Sequence, residues 1–205
     1  MTTAIRDASV SLQRLLNDRL GADPDVLAAL PPGASLTVSL SSPDDMAKVP
    51  DQGLSLWLYK LTRDDHACNR GLVRVSGGRM RTPPLPLRLH YLLTPMLELD
   101  NGIGAPEFEQ TVLGKTLQVL AEEPILRGPQ IVGGLNSQLG QLSVRLETLS
   151  TEEMTRVWDA LESNYRLSVS YEVTIVPIEV RREFVGPPVG LLDARLGTAY
   201  AEQDA

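Results

Sequence analysis

PPLPLRLHYLLTP, residues 83–95, decides the fold because apolar side chains alternate with other residues along it. One parity carries Leu85, Leu87, Leu89, Tyr91 and Leu93. Successive side chains of a strand point to opposite faces of a sheet, so the pattern predicts a strand with one buried face. His90 then lies on the other face, beside Arg88. A neighbouring guanidinium disfavours the imidazolium, so we expect a neutral, hydrogen-bonded His90 on the solvent or subunit side, not a catalytic one.

Three further segments read as strands. GLSLWLYKL, residues 53–61, is apolar on both faces, and such a strand is covered on both sides by the protein's own helices or by another subunit. QLSVRLETL, residues 141–149, is predicted to bury one face only. YRLSVSYEVTIVPIE, residues 165–179, is predicted to bury one parity as well. The residues expected to be buried in these last two segments are Leu142, Val144 and Leu146, and Tyr165, Leu167, Val169, Tyr171, Val173 and Ile175.

The last of these patterns changes near its end. At Val176 and Ile178 the opposite face also becomes apolar, which predicts either a β-bulge or a second covering surface. The segment is also much longer than the usual strand of about 5 to 6 residues. Part of it is therefore expected to leave the sheet.

Amphipathic helices accompany these strands. Apolar residues recur at helical spacing over residues 5–20 and again over residues 106–120, where Pro124 ends the second pattern. Ser150 and Glu153 have the spacing of a capping box, which predicts the start of a short third helix. The apolar face of that helix consists of Met154, Val157, Trp158 and Leu161.

The composition limits the possible partners. A net charge of -7 would repel a phosphate backbone, and no run rich in Lys and Arg with interleaved aromatic residues offers an exception, so no nucleic acid is expected. No stretch approaches the ~20 apolar residues of a membrane span, and Arg6 and Asp7 stand where a secretory signal would be apolar. We therefore expect a cytoplasmic protein with no direct membrane insertion. The lone Cys68 excludes an internal disulfide and a multi-thiolate metal site.

One segment, DDHACN at residues 64–69, combines carboxylates, an imidazole and a thiol. Asp64, Asp65 and His66 could support a metal-assisted hydrolase, but no second cluster of ligands completes such a site. Asp and Asn are also common turn residues, and the segment is predicted to be a turn. No Gly-rich stretch has the spacing of a phosphate loop. The expectation is therefore a protein without catalytic residues, metal or cofactor.

The C-terminal part, VRREFVGPPVGLLDARLGTAYAEQDA, differs from the rest of the chain. GPPVG interrupts any regular element, yet the segment has too many apolar residues for a solvated tail, so we expect an arm that docks on a partner. The doubly apolar strand at residues 53–61 also requires a covering surface. The candidate interface residues are Trp57, Tyr59, Arg181, Arg182, Phe184, Val185, Leu191 and Leu192.

Several phrases together resemble one family, the cap or tail-terminator proteins of extracellular contractile injection systems, which are phage-tail-like particles of the antifeeding-prophage and virulence-cassette type. The phrases occur in the same order over roughly residues 4 to 180. They are IRDASVSLQRLL, LSLWLYKL, PPLPLRLHYLLTP, EQTVLGKTLQVLAEEPIL, LSVRLETLSTEEMTRVWDAL and YRLSVSYEVTIVPIE. The sequence departs from the family in the turn after LYKL, where the family tends to have an Asn-Pro pair preceded by an Arg. Asp64, Asp65 and Cys68 stand there instead.

The resemblance implies an α+β subunit similar to phage tail terminators, with a mixed or antiparallel sheet flanked by helices. It implies a single domain over residues 1–180 with a C-terminal arm over residues 181–205. It also implies a structural role: a homo-hexameric ring on the end of the inner tube that contacts the last ring of the contractile sheath, ends polymerisation and anchors the sheath, without catalysis. Another connector or baseplate component of the same particle is the alternative.

Overall fold

The alternating stretch at residues 83–95 forms a central strand of a six-stranded sheet in the computed structural model of the chain. The structure describes residues 3–48, 53–68, 71–75, 79–97, 106–180 and 182–185. Its contacts divide the chain into two units. The main unit comprises residues 1–69 and 84–179, and the second unit comprises residues 70–83 and 180–205.

The large sheet belongs to the main unit. Its strands are β1 (Thr37–Ser39), β2 (Gly53–Arg63), β5 (Leu85–Met96), β6 (Ile125–Arg127), β7 (Gln141–Glu147) and β8 (Val169–Ile178). Their order in space is β1-β2-β5-β8-β7-β6. The β1 strand pairs parallel with β2, and all other neighbours are antiparallel. The predicted mixed sheet is therefore confirmed.

Two long helices cover one face of this sheet. They are α1 (Ala4–Leu20) and α4 (Pro106–Glu122), and both predicted helical patterns are confirmed. Their apolar stripes pack on the buried parity of β5, where Leu89, Tyr91 and Leu93 are fully buried. Removing each such side chain from water stabilises the fold by about 1.5 to 3 kcal/mol. The hydroxyl of Tyr91 shares a 2.8 Å hydrogen bond with Ser9 of α1, and burial raises the pKa of Tyr91 to about 12.

Shorter helices connect these elements. They are α2 (Pro24–Ala29), α3 (Pro43–Met46), α5 (Leu135–Leu139) and a 3₁₀ turn at Gly128–Gln130. Asp23 caps α2 by accepting hydrogen bonds from the backbone N–H groups of Asp25 and Val26, and Ser42 caps α3 in the same way. Proline at the first helical position follows both caps, where its missing N–H costs nothing.

The opposite face of the sheet is partly covered by α6 (Thr151–Ala160). The predicted capping box is present, since the Glu153 N–H donates to Ser150 Oγ at 3.2 Å and the Ser150 N–H donates to Glu153 Oε2 at 2.9 Å. Met154 and Trp158 of α6 bury themselves against Leu92 of β5, and Trp57 packs at the margin. The doubly apolar strand at residues 53–61 is therefore covered by the protein's own helices on both faces along this part of its length.

The β1 edge of the sheet is closed by side chains of α1. The backbone N–H of Val38 donates to Asn17 Oδ1 at 2.9 Å, and its carbonyl accepts from Gln13 Nε2 at 2.8 Å. An edge strand with open backbone groups is a template for pairing with another chain. Here the amide side chains satisfy the groups that a partner strand would need.

Some buried positions were predicted wrongly. Leu146, at the end of β7, is 57% exposed, and Tyr165 is 60% exposed. Leu167 is exposed as well, because β8 begins only at Val169. The expectation that part of the segment leaves the sheet is confirmed, and the residues that leave it are those before Val169.

The second unit contains a three-stranded antiparallel sheet of its own. Its strands are β3 (Val73–Arg74), β4 (Arg79–Arg81) and β9 (Glu183–Val185), with β4 in the middle. The β9 strand therefore comes from the segment predicted to be an arm. The proposed division at residue 180 stays a prediction, and most of the arm, residues 186–205, lies outside the described residues.

Candidate assembly surfaces

Two β-bulges shape the face of the large sheet that carries α6. In the pairing of β2 with β5, Leu58 is opposite Tyr91 and Lys60 is opposite His90, so Tyr59 is an extra residue. In the pairing of β5 with β8, Leu87 is opposite Val176 and Leu89 is opposite Val173, which leaves another extra residue in β8. A bulge bends its strand and redirects the side chains that follow.

The bulge in β8 explains the change of pattern that the sequence shows at Val176. After the extra residue, Val176 turns onto the face covered by α1 and α4, where it is fully buried. Of the two explanations offered by the sequence, the bulge is therefore confirmed. Ile178 follows Val176 on the same face and packs against the edge of the core.

A polar network lies between the two bulges, and His90 is at its centre. The Nδ1 atom of His90 lies 3.0 Å from Glu147 Oε2, and its Nε2 atom lies 2.8 Å from Thr62 Oγ1. Ser170 Oγ donates to the same Glu147 oxygen at 2.7 Å. Because this uses the single Ser170 proton, Tyr59 donates its own hydroxyl proton to Ser170 Oγ at 3.0 Å.

This network corrects the expected position of His90. The side chain is on the predicted face, but the residue is only 4% exposed and does not face solvent. Its nearest charged partner is the Glu147 carboxylate, whereas Arg88 turns to Asp64 and Glu172. A hydrogen-bonded histidine is what the sequence predicts, and the partners that hold it come from strands distant in sequence.

Burial and hydrogen bonding act in opposite directions on Glu147. Burial raises the pKa of its carboxyl, but the hydrogen bonds from Ser170 and His90 lower it by more, so the pKa lies below its ordinary value. Burial also raises the pKa of Tyr59, so its hydroxyl stays protonated and able to donate. The network is thus a fixed set of satisfied donors and acceptors that holds β2, β5, β7 and β8 together.

The turn after β2 is held by an ion pair with β5. Asp64 accepts from the Ala67 backbone N–H at 3.0 Å and from Arg88 Nε at 2.9 Å. Burial raises the pKa of Asp64, but these two hydrogen bonds lower it below its ordinary value. Asp65 pairs instead with Arg63. The predicted turn is confirmed, and both carboxylates that a metal would need are engaged by arginines.

Within the described part of the chain, no group of three or more His, Cys, Asp or Glu side chains is arranged to hold a metal ion. Among the same residues, none of the helices combines the length and apolar character needed to cross a membrane.

In the second unit, apolar and basic side chains share a small exposed sheet. Val185 is 80% exposed, and Phe184 beside it is exposed as well. Leu72 and Val73 are exposed at the other edge, before and within β3. Arg81 Nη2 donates to Glu183 Oε1 at 2.6 Å and joins β4 to β9. An exposed set of apolar groups rimmed by charges is typical of a protein interface.

The family profile of the Pvc16 N-terminal domain matches residues 7–190 of the chain. The chain belongs to this family. The match includes all of the strands described above and extends five residues beyond β9. The resemblance to contractile injection system terminators that the sequence shows is thereby confirmed. No curated protein sequence matches the chain.

Two solved structures are similar to this chain, and the first of them shares its fold. One is a PVC sheath/tube terminator of an extracellular contractile injection system in its extended state, with 20% identity, a TM-score of 0.56, and coverage of 100% of this chain and 65% of that chain. The other is the tube-terminating cap of the anti-feeding prophage, with 18% identity, a TM-score of 0.49, and coverage of 88% and 59%. The chain therefore spans less than two thirds of either relative.

The structure places the candidate interface residues in different surroundings. Trp57 and Tyr59 are half-buried beside α6, and their rings lie 6.1 Å apart. Arg182, Phe184 and Val185 are exposed in the second unit. Arg181, Leu191 and Leu192 lie outside the described residues.

Sequence patterns did not reveal the buried network or the exposed apolar groups near α6. Tyr165 follows α6 and packs its ring 6.0 Å from Trp158, yet most of its surface is exposed. The exposure of Tyr165 could have been suspected from its place far from the centre of the strand pattern. The alternation of a strand does not determine the direction of side chains that precede the strand.

Proposed function

We propose that the chain is the cap, or terminator, subunit of a contractile injection system. The supporting observation is the family match over residues 7–190, and the fold shared with a PVC sheath/tube terminator agrees with it. The proposed role is structural: the protein binds the end of the inner tube, stops the addition of further tube and sheath subunits, and anchors the sheath. The role requires no catalysis, cofactor or metal.

The proposed cap is a homo-hexameric ring, assembled in the cytoplasm before the particle is released. A closed ring needs two different and complementary surfaces on every subunit. The exposed apolar and charged groups of the second unit supply one such surface, and the face around α6 supplies another. Trp57 and Tyr59 support that second surface from within, since both pack beside α6.

The arm after β9 is proposed to bind a partner in the assembled particle. Its apolar residues Leu191 and Leu192 follow GPPVG, which separates them from β9. Two truncations distinguish the strand from the arm. A chain ending at Val185 keeps β9, whereas one ending at Val180 removes it. If the chain ending at Val180 capped tubes and bound sheath at full strength, neither β9 nor the arm would be part of the interface.

Tube assembly with purified components tests the proposed function. Tube subunits are polymerised with increasing amounts of the chain, and tube lengths are measured by negative-stain electron microscopy. A terminator shortens the mean tube length at a low molar ratio to tube subunits, because one ring stops one end. Equal length distributions with and without the chain would contradict the proposal. A protein that adds along the whole tube, or only to baseplate components, would support the connector alternative.

The hydrolase alternative is tested separately. Asp64 and Asp65 are paired with Arg88 and Arg63, so binding a metal would require both ion pairs to break. Metal content of the purified chain, compared with an Asp64→Asn/Asp65→Asn variant, decides it. A stoichiometric metal lost in the variant would favour the hydrolase.

A further inference from the structure

Charge is distributed very unevenly between the two units. The second unit, residues 70–83 and 180–205, contains seven arginines, no lysine and four acidic residues, which gives a charge of +3. The whole chain carries -7, so the main unit carries -10. The average composition hides this segregation. Arginine is also the basic residue that interfaces favour, because its planar group binds carboxylates through two hydrogen bonds.

Among the described residues of the second unit, four arginines stand against one carboxylate, that of Glu183. Arg79 and Arg81 share Glu183, with nitrogen–oxygen distances of 3.6 and 2.6 Å. Arg74 on β3 and Arg182 before β9 are exposed, and neither forms an ion pair with a described residue. Two arginines near the two edges of the sheet are therefore available to carboxylates of another molecule.

Apolar groups stand beside these two arginines. Leu72 and Val73 accompany Arg74, and Phe184 and Val185 accompany Arg182. A solvated basic patch would not need four exposed apolar side chains in so small a sheet. An interface needs both, because apolar contacts supply affinity and charges select the partner.

A surface with the opposite properties occurs on the main unit. It consists of the outer sides of α3 and α6 and the turn after α6, and we call it the acidic face. Its carboxylates are Asp44, Asp45, Glu152, Glu153, Asp159 and Glu162, against the basic residues Lys48 and Arg156. Ser163 Oγ donates to Asp44 Oδ1 at 3.3 Å and joins the turn after α6 to α3. Tyr165 and Leu167, both exposed, provide apolar contact area beside these charges.

We propose that the arginine-rich sheet of the second unit docks on the acidic face of a neighbouring copy of this chain. The two surfaces are opposite in charge and both contain exposed apolar side chains. Because they are different surfaces, the contact is heterologous and can be repeated around a closed ring. The inference rests on the proposed ring and names the surfaces that form it. Exposed Tyr165 also offers a ring face over which an arginine of the neighbour can stack.

Charge reversal provides the test. Variant A carries Arg74→Glu and Arg182→Glu, so that its sheet and its acidic face are both negative. Variant B carries Glu152→Arg and Asp159→Arg, so that both of its surfaces are more positive. The control carries Arg14→Glu and Arg127→Glu, which changes the net charge as A does but on exposed arginines of the main unit. Circular dichroism establishes that each variant is folded.

Self-association is measured by sedimentation velocity in solution and by counting copies bound per tube end. We expect A alone and B alone to assemble at least ~10-fold more weakly than wild type, and the control within ~3-fold. An equimolar mixture of A and B should assemble better than either alone, because every second contact in an alternating ring then joins the unchanged sheet of B to the unchanged acidic face of A. Assembly of wild type should also weaken between about 0.05 and 0.5 M salt.

Several outcomes would overturn the proposal. Rings of A alone as strong as wild type would show that the sheet makes no contact between copies, and failure of A with B to assemble better than either alone would exclude the acidic face. Binding of a DNA duplex by wild type but not by A, without self-association, would assign the arginines to nucleic acid. Tube-length measurements separate this inference from the function: if wild type caps tubes but A does so equally well, only the inference fails.

Discussion

The Glu147 carboxylate is predicted to stabilise the fold in a pH-dependent way. It accepts hydrogen bonds from His90 Nδ1 at 3.0 Å and Ser170 Oγ at 2.7 Å. Both donors bind Oε2, so in Glu147→Gln both lose a charged acceptor and keep at most a neutral amide oxygen, at a cost of about 1.5 to 3 kcal/mol at pH 7. Glu147→Ala leaves both donors without an acceptor and should cost more than Glu147→Gln.

The pH dependence follows from the lowered pKa of Glu147 in the folded chain. Stability from a carboxyl of this kind is fully present above its unfolded pKa of about 4.3 and is lost as the pH falls through the folded pKa. The difference between wild type and Glu147→Gln should therefore narrow from pH 7 to pH 3. Urea unfolding followed by fluorescence measures it, because the two tryptophans, Trp57 and Trp158, both lie in the apolar cluster under α6.

A matched control is Asp18→Asn, which changes an exposed carboxylate paired with Arg14 on the surface of α1 and outside both proposed contact surfaces. Its effect should stay within the scatter of the measurement, because exposed pairs contribute little. Protein concentration is held constant, since assembly changes apparent stability. A loss below about 0.5 kcal/mol for Glu147→Gln at pH 7 would refute the proposed role of the network. So would a loss that is equally large at pH 3.

Three further changes have defined outcomes. In Gly53→Ala the new Cβ would lie 2.0 Å from the Thr37 carbonyl oxygen, at a φ of 152°. The chain should therefore lose more than about 3 kcal/mol of stability in urea unfolding. A loss under about 1 kcal/mol would contradict the β1–β2 pairing. Trp158→Ala should cost about 3 to 5 kcal/mol, as measured by thermal unfolding. Trp158→Phe should cost clearly less, because a phenyl ring still fills part of the buried site. Equal losses for the two variants would contradict this account of the packing. His90→Gln should destabilise the fold by about 1 to 2 kcal/mol yet leave ring assembly intact by light scattering, because His90 is buried within the subunit. A folded His90→Gln chain that does not assemble would show that this histidine contacts a partner.

Patterns along single strands predicted much of the fold. The alternation around Tyr91 identified the central strand, and the spacing of Ser150 and Glu153 identified the start of α6, because both signals depend on neighbouring residues only. The change of face at Val176 was also visible, since a bulge alters the parity of the sequence itself.

Features that depend on distant residues could not be predicted in this way. His90 and Glu147 are 57 positions apart, and they meet only because β8 lies between β5 and β7 in the sheet. The sequence of β5 indicates which face His90 occupies, but not what covers that face. Leu146 is a similar case, since it shares the parity of the buried Leu142 and Val144 but is exposed near the end of β7.

The assembly surfaces were predicted in part. Phe184 and Val185 were selected as interface residues from their apolar character, and both are exposed. That they join a sheet with residues 79–81 depends on a pairing across about a hundred residues, which no local pattern indicates. Segregation of the arginines becomes evident only when residues 70–83 and 180–205 are known to form one unit.

The position of the chain on the particle tests the central claim most directly. Purified particles are labelled with a gold-conjugated antibody against the chain and imaged by electron microscopy in the extended state. A terminator predicts label at one end only, opposite the baseplate, and particles without the chain should have tubes of irregular length. Label at the baseplate, along the shaft or on no part of intact particles would contradict the account.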